Sequence, residues 1–369
     1  MKLKNFWWLL IWLFTAGIIL ERAFPKQKER ILGKERVRWK ILPAILLVLP
    51  YIIWAGFRGV GFGDTYAYQQ AFLKAPTSFG GVGEYLSQYS KDQGFYFFNA
   101  LVKIILCQSP EVYFLLLAAI QLLIIAFVCR RLSVDYWLSI FLFVASTDYV
   151  SWMFNGIRQF TAAVIIFGAT ELIIRKKYIP SVLLILLASM MHQSALIMVP
   201  VIFLIQGKAF NKKTVICVLL SVTALTFIDQ FTDFLSSALA DTQYKNVVSD
   251  WKSFNDDGTN PLRVLVYAMP TLIGLYGYRK IRAADDPIIN LGIGAGLVST
   301  CISILSMATS GIFLGRLPIY VSLWSNLIVL PWEIKNVFSE KNAVFVKAAC
   351  ILLYCVFFYY QMHVIWSII

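Results

Sequence analysis

The sequence predicts an all-α, polytopic integral membrane protein, and three observations support this fold class. Hydrophobic residues make up 59% of the 369 residues and charged residues only 14%, whereas a soluble domain carries about 25% charged residues. Several stretches approach or exceed 18 mostly apolar residues, the length that crosses a bilayer as a helix. These stretches are continuously apolar rather than alternating, which favours helices over a β-barrel.

The basic residues indicate how the chain is oriented in the membrane. The net charge is +13, but Lys and Arg gather in short segments between apolar runs, which membrane topology explains better than nucleic-acid binding. Residues 21–40 contain eight Lys or Arg, against two before the first apolar run. We therefore expect this segment in the cytoplasm and the N-terminus outside. The first run has no convincing small-residue cleavage site, so it is interpreted as a mature helix and not as a signal peptide.

Twelve transmembrane helices satisfy both the apolar runs and the positive-inside rule, with both termini outside. The chain is interpreted as one transmembrane domain, 1–369, with long outer loops at 58–110 and about 231–261; the second loop is rich in Asp. The expected spans are residues 5–20, 41–57, 111–129, 136–152, 157–174, 178–192, 194–206, 214–230, 262–278, 287–307, 312–330 and 343–367.

One apolar segment, residues 95–107, is too short for a typical span. Its Asn99 and Lys103 are four residues apart and therefore lie on one face of a helix that is otherwise apolar. This pattern predicts a re-entrant or interfacial amphipathic helix within the first outer loop.

Ionisable residues near the expected outer face need a reason, because a charge at mid-bilayer costs about 2.5–3.5 kcal/mol. Arg58 and Asp64 follow the second span in the segment RGVGFGDTY. The glycine spacing does not fit a dinucleotide site. Arg58 offers a planar fork for a phosphate, and Asp64 offers an acceptor for sugar hydroxyls or a base. The alternative is a flexible turn with an Arg–Asp ion pair.

Three further residues at the expected outer face are candidates for binding or catalysis. Arg158 begins a helix, where a cation opposes the helix dipole, so an anionic ligand is expected there; the alternative is contact with a lipid headgroup. His192 can act as a general base near neutral pH, or it is a hydrogen-bonded residue at a helix junction. Arg316 has no acidic neighbour in sequence. Together with Arg58, these arginines can hold a pyrophosphate.

Five short motifs along the chain together carry a family resemblance. They are R-G-x-G-x-G-D-T-Y (58–66), GFYFFN (94–99), GIRQ (156–159), MHQSALIMVP (191–200) and GRLPIY (315–320). An apolar span, the basic triplet RKK and another span separate the third motif from the fourth. With these motifs, residues 41–330 resemble the EpsG-type exopolysaccharide polymerases, a family related to the Wzy O-antigen polymerases.

The resemblance implies a GT-C-like glycosyltransferase that needs neither a metal nor a cofactor. It implies that polyprenyl-pyrophosphate-linked oligosaccharides are joined at the outer face of the bacterial cytoplasmic membrane, in exopolysaccharide, capsule or O-antigen synthesis. A flippase and a chain-length regulator are the partners that this pathway suggests. On the matching positions, Arg158 would stabilise the leaving pyrophosphate, and Asp64 or His192 would accept the proton of the attacking hydroxyl. Substrate binding is assigned to Arg58, Gln159, Arg316, Tyr66 and Tyr320.

Other functional classes remain open at this point. A lipid-linked glycan ligase would share the arginines and differ only in its acceptor. A membrane acyltransferase would depend on His192 and would not need three arginines. A twelve-span transporter of glycan precursors is a third alternative, although carriers of that size usually keep both termini in the cytoplasm.

Overall fold

The computed structural model describes residues 6–146, 148–239 and 258–365. The chain is mostly helical, as predicted, and it forms two compact units: Met1–Val199 with Val344–Ile369, and Pro200–Ala343. Most of the expected Asp-rich outer loop, including Asp241, Asp250, Asp256 and Asp257, lies outside the described residues.

Twenty α-helices are numbered here along the described part of the chain. Short 3₁₀ helices cover Phe79–Gly81, Gln193–Ile197 and Leu314–Arg316, and π-helical turns cover Ser325–Val329 and Tyr360–Ile365. The α-helices are α1 (Phe6–Ala23), α2 (Ile41–Gly56), α3 (Thr65–Lys74), α4 (Val82–Ser87), α5 (Gln93–Ile105), α6 (Pro110–Leu132), α7 (Tyr136–Ala145), α8 (Asp148–Asn155), α9 (Ile157–Gly168), α10 (Thr170–Ile174), α11 (Tyr178–Met191), α12 (Met198–Leu204), α13 (Lys212–Thr226), α14 (Ile228–Leu239), α15 (Pro261–Tyr276), α16 (Tyr278–Ala284), α17 (Pro287–Met307), α18 (Ile319–Trp324), α19 (Leu330–Asn336) and α20 (Glu340–Tyr359).

A β-hairpin corrects the all-α prediction. Strands β1 (Gln27–Ile31) and β2 (Lys34–Arg38) pair antiparallel within the segment that we interpreted only as a basic cytoplasmic loop. Leu32 and Gly33 connect them with φ of 50° and 82°, and two successive positive φ angles are typical of a tight hairpin turn. The strands are rich in charged residues, so the segment lacks the apolar alternation that usually identifies a strand.

The described residues include helices that are long and apolar enough to cross a membrane, but the number twelve stays a prediction. By length and composition, four helical segments of the described residues can cross a bilayer: Pro110–Leu132, Pro287–Met307, Leu314–Asn336 and Glu340–Val364. Two bent pairs, α7 with α8 and α13 with α14, raise this to six if each pair is one span. The pairs bend by 64° and 105°, where the sequence predicted single spans at 136–152 and 214–230.

The first unit is built around α6, which packs along α2 and α9. The buried Gln121 side chain of α6 donates a hydrogen bond of 2.8 Å from Nε2 to Thr161 Oγ1 on α9. Helix α11 packs on the far side of α9. Helices α3, α4 and α5 form a separate layer at one end of this unit, and α5 also contacts α6 and α11.

Helix α5 confirms the helix predicted at residues 95–107, but its polar face differs from the expectation. Lys103 donates hydrogen bonds of 2.6 Å to the carbonyls of Leu73 and Ala75, at the end of α3. Asn99 is fully buried, because α3 and α4 pack over α5. The Asn99 side chain therefore faces the interior of this layer and not a polar surface.

The second unit is organised around α17. This helix packs against α13, α15 and the segment Leu314–Asn336, and Asp286 caps its first turn by accepting from the Ile288 N–H at 3.0 Å. The hydroxyls of Thr271 on α15 and Thr300 on α17 are 2.8 Å apart. The most apolar window of the segment Leu314–Asn336 is completely buried.

Candidate functional site

Four of the sequence motifs come together in the first unit around the corner between α8 and α9. Helix α8 ends at Asn155 and α9 begins at Ile157, where the sequence predicted that a span begins. The loop 57–64 contacts this corner from one side. The junction that follows α11 and the start of α5 contact it from the other.

Arg58 is fixed between α2 and α8. Its Nε donates to the Ala55 carbonyl at 2.6 Å and its Nη1 to the Met153 carbonyl at 2.7 Å. The guanidinium carbon lies 4.1 Å from the centre of the Phe154 ring and 4.9 Å from that of Phe114. Burial lowers the pKa of Arg58 to about 9, so the group stays charged at neutral pH. Arg58 thus donates to two backbone carbonyls, which differs from the flexible turn with an Arg58–Asp64 ion pair that the sequence left open.

Asp64 is attached to the same corner through its backbone. Its N–H donates to Asn155 Oδ1 at 3.1 Å. Gly63, with φ of 53°, passes so close that an added Cβ would lie 1.3 Å from that same oxygen, so no other residue fits here. The Asp64 side chain is exposed at the start of α3, and Tyr66 is exposed two residues further on.

The Arg158 guanidinium is paired with a carboxylate that the sequence analysis did not single out. Asp92 Oδ2 accepts from Arg158 Nη1 at 2.8 Å, and Asp92 Oδ1 accepts from the Gln193 N–H at 3.0 Å. Asp92 has a φ of 54° and immediately precedes α5. The sequence feature that could have identified Asp92 is its position two residues before the GFYFFN motif. No short-range pattern, however, connects Asp92 with Arg158.

Tyr68 on α3 lies close enough to both Asp64 and Arg158 for their charges to affect its pKa. Burial raises its pKa, and the positive charge of Arg158 lowers it. The negative charge of Asp64 acts in the opposite sense to Arg158 and raises the pKa. Tyr68 therefore lies within the electrostatic range of both Asp64 and Arg158, two of the predicted catalytic residues.

His192 lies beside this cluster, at the end of α11. Its Nδ1 is 2.8 Å from Ser194 Oγ, which orients the imidazole ring. The adjacent Gln193 N–H is the group that binds Asp92. Gly94 of α5 allows the close approach of α11, since a Cβ at Gly94 would lie 2.5 Å from Met190 Cβ and 2.9 Å from the Met190 carbonyl oxygen.

The remaining predicted substrate-binding residues have different environments. Gln159 lies in the first turn of α9 and is buried. Arg316 and Tyr320 belong to the second unit: Arg316 is exposed at the end of a 3₁₀ turn, and Tyr320 is fully buried on α18. The first unit thus brings together Arg58, Asp64, Arg158 and His192, and adds Asp92 and Tyr68.

The arrangement is suited to binding an oxyanion. Arg58 Nη2 and Arg158 Nε are both buried and have no hydrogen-bond partner among the described residues. A buried, unsatisfied donor costs about 1–3 kcal/mol, more when it is charged. A phosphate oxygen is the kind of acceptor that satisfies such a guanidinium N–H.

Comparison with known proteins identifies the family. A family model described as EpsG matches residues 41–367, which is nearly the whole chain. No curated protein and no solved structure matches the chain. The matched range includes all five motifs that carried the resemblance, and the protein therefore belongs to the EpsG family.

Proposed function

We propose that this protein is a polysaccharide polymerase that joins polyprenyl-pyrophosphate-linked oligosaccharide repeat units at the outer face of the bacterial cytoplasmic membrane. Membership of the EpsG family supports a polymerase role in polysaccharide synthesis. The observation that favours a pyrophosphate-linked donor is the pair of buried guanidinium N–H groups, Arg58 Nη2 and Arg158 Nε, that lack a partner among the described residues. Both belong to the cluster around the α8–α9 corner.

In the proposed reaction, the hydroxyl oxygen of an acceptor glycan forms a bond to the anomeric carbon of the donor. The bond between that carbon and the pyrophosphate oxygen breaks, and polyprenyl pyrophosphate leaves. Arg158 and Arg58 stabilise the negative charge that develops on the leaving group, and positioned charges of this kind act strongly where water is excluded. No metal is required in this scheme, because the arginines supply the positive charge.

The proton of the attacking hydroxyl needs an acceptor, and Asp64 is the better supported candidate. Its carboxylate is exposed, its backbone is fixed to Asn155, and Tyr68 lies within electrostatic range of both Asp64 and Arg158. His192 is the second candidate, with a ring oriented by Ser194. Gln159, Tyr66, Arg316 and Tyr320 stay proposed substrate-binding residues on the strength of their motifs.

We also propose the orientation that the basic segments predict, with twelve spans, a GT-C-like architecture and both termini outside. Cysteine labelling tests the orientation after the six native cysteines are replaced by Ala. A Gly83→Cys variant should react with an impermeant maleimide in intact cells, since nothing lies within 4 Å of a side chain added there. A Glu35→Cys variant on the hairpin should react only after lysis. The opposite pattern would refute this orientation.

Polymerisation itself is tested in cells that make a lipid-linked repeat unit but lack their own polymerase. The parent should give a ladder of glycans on a gel, with no loss when membranes are assayed with a chelator of divalent cations. Arg158→Ala should leave single repeats. Arg175→Ala is the matched control, because Arg175 is a half-exposed arginine of the same unit and should retain the ladder.

The same assay separates the candidate bases and the rival functions. Loss of the ladder in Asp64→Asn but not in His192→Ala would support Asp64, and the converse would support His192. A full ladder from Arg158→Ala would refute the arginine-bound pyrophosphate. A parent that gives no ladder while lipid-linked repeats remain intact would refute the polymerase, and transfer of a single finished glycan would indicate a ligase.

A further inference from the structure

Two tyrosines lie face to face next to the Asp92–Arg158 pair. The rings of Tyr89, which follows α4, and Tyr96, on α5, are stacked with centroids 3.4 Å apart and planes inclined by 11°. Both side chains are half-buried. Tyr85 packs edge-on against both rings, at 5.2 Å and 6.3 Å. The buried Tyr85 hydroxyl donates to the Ala71 carbonyl at 2.9 Å, so the stack rests on a fixed support.

The stacked pair is connected directly to the candidate site. Tyr89 precedes Asp92 by three residues and Tyr96 follows it by four. The Gln93 side chain donates from Nε2 to the Tyr89 carbonyl at 3.0 Å, which ties the end of α4 to the first residue of α5. Burial raises the pKa of Tyr96, and the positive charge of Arg158 lowers it. Tyr96, and with it the stacked pair, therefore lies near the guanidinium that is proposed to bind the leaving group.

We infer that Tyr89 and Tyr96 form a carbohydrate subsite, at which a pyranose ring of the lipid-linked glycan packs while Arg158 holds its pyrophosphate. This inference rests on the proposed function and names the part of the protein that recognises the sugar. A pyranose ring has an apolar C–H face and a polar rim of hydroxyls. A tyrosine complements both, with a flat apolar ring and a hydroxyl at its tip. A rigid aromatic side chain also loses little conformational entropy when it binds.

An alternative explanation is that the tyrosines only fill the core of the layer formed by α3, α4 and α5. Tyr85, Ala75 and Ala100 are the buried centre of that core, and Tyr89 and Tyr96 pack at its edge. The two explanations differ in what they require at position 89. Packing requires volume, which Leu supplies, whereas stacking with a sugar requires an aromatic face.

The test is saturation-transfer NMR on the purified full chain in lipid nanodiscs. The probe is the free oligosaccharide released by mild acid from the lipid-linked fraction of producing cells. The parent and Tyr89→Phe should bind it equally within about twofold, since both keep the aromatic face. Tyr89→Leu and Tyr89→Ala should bind at least about tenfold more weakly, a loss of about 1.4 kcal/mol. Tyr276→Ala is the control, because Tyr276 is a largely exposed tyrosine that stacks on Phe338 at 5.9 Å.

Several outcomes would overturn the subsite. One is that the parent shows no saturation transfer to the oligosaccharide. Another is that a folded Tyr89→Leu variant binds the oligosaccharide as strongly as the parent does. A third is that uridine displaces the bound oligosaccharide as well as added oligosaccharide does. A polymerase assay on the same samples keeps the two proposals distinguishable. A ladder with sugar binding independent of Tyr89 would refute the subsite and leave the polymerase standing. Sugar binding that depends on Tyr89, without any ladder, would refute the polymerase and leave the subsite standing.

Discussion

Asp92 and Arg158, which lie 66 residues apart in the sequence, form an ion pair with 2.8 Å between Oδ2 and Nη1. The Asp92 side chain is only 6% exposed and that of Arg158 is 31% exposed. The second Asp92 oxygen accepts from the Gln193 N–H. One carboxylate thereby joins the start of α5, the start of α9 and the segment after α11. The sequence led us to expect an anionic partner for Arg158, and in the structure Asp92 is an anion in contact with it.

Replacing Asp92 should disturb both the fold and the site. Asp92→Asn keeps an acceptor for the Gln193 N–H but removes the negative charge opposite Arg158. Hydrogen bonds to charged groups are worth about 1.5–3 kcal/mol, so we expect destabilisation of this order and a weaker or absent glycan ladder. Thermal unfolding in detergent measures the first effect and the polymerisation assay the second.

The control for Asp92→Asn is Glu84→Gln, which removes one negative charge from an exposed position on α4 in the same layer. Its stability should stay within about 0.5 kcal/mol of the parent. If Asp92→Asn matched the parent in both assays, the ion pair would have no role in positioning Arg158.

Arg58→Lys tests whether the fork of the guanidinium matters beyond its charge. The guanidinium donates to the Ala55 and Met153 carbonyls from two separate nitrogens while its plane stacks on Phe154. A lysine has a single nitrogen and no planar group, so it cannot make all three contacts. We expect a loss of about 1–3 kcal/mol in the free energy of unfolding and a shorter glycan ladder. Arg175→Lys is the matched substitution, since Arg175 is half-exposed and 3.8 Å from Glu171; it should change stability by less than about 1 kcal/mol. Equal behaviour of the two variants would contradict the role of the fork.

Gly94→Ala should separate α5 from α11. The added Cβ would lie 2.5 Å from Met190 Cβ and 2.9 Å from its carbonyl oxygen, so the backbone has to move. Overpacking of this kind costs about 1–3 kcal/mol. Gly83→Ala provides the comparison, because nothing lies within 4 Å of its new Cβ and alanine favours a helix by up to about 1 kcal/mol. If Gly83→Ala unfolded at a lower temperature than Gly94→Ala, α5 and α11 would not be in close contact.

The sequence was informative wherever a property is local. Continuous apolar runs predicted a helical membrane protein, the short run at 95–107 predicted α5, and the apolar run expected from residue 157 predicted where α9 begins. The motif around residues 156–159 also pointed to the corner at which the candidate site lies. These features depend on neighbouring residues, so one sequence suffices to find them.

The features that were missed depend on tertiary contacts. Asp92 meets Arg158 because α5 packs against α11 and α11 packs against α9, which no spacing in the sequence reveals. The spacing of Asn99 and Lys103 predicted a polar helix face, but α3 and α4 pack over α5 and bury Asn99. The straight span expected at 214–230 is bent after Thr226, although the apolar run continues through the bend. The hairpin escaped detection because its strands are charged and only Ile31 and Val37 are strongly apolar.

The hairpin is held to α6 by an ion pair that should dominate its stability. Both terminal nitrogens of Arg130 donate to Glu29 Oε1, at 2.6 and 2.7 Å, and Arg130 is only 4% exposed in its side chain. Its Nη1 also donates to the Trp39 carbonyl at 2.7 Å. Removing Glu29 leaves a buried cation without its carboxylate, which typically costs about 3–5 kcal/mol.

Glu29→Ala should therefore unfold at a clearly lower temperature than the parent and be cleaved faster by trypsin between residues 26 and 40. Glu35→Ala is its control on the same hairpin, because the Glu35–Lys28 pair is 2.8 Å long but mostly exposed and is worth about 0–1 kcal/mol. Replacing both partners, as Glu29→Gln with Arg130→Met, should recover much of the loss, since it no longer buries an unpaired charge. If Glu29→Ala and Glu35→Ala were equally stable, the burial of Arg130 beneath the hairpin would be refuted.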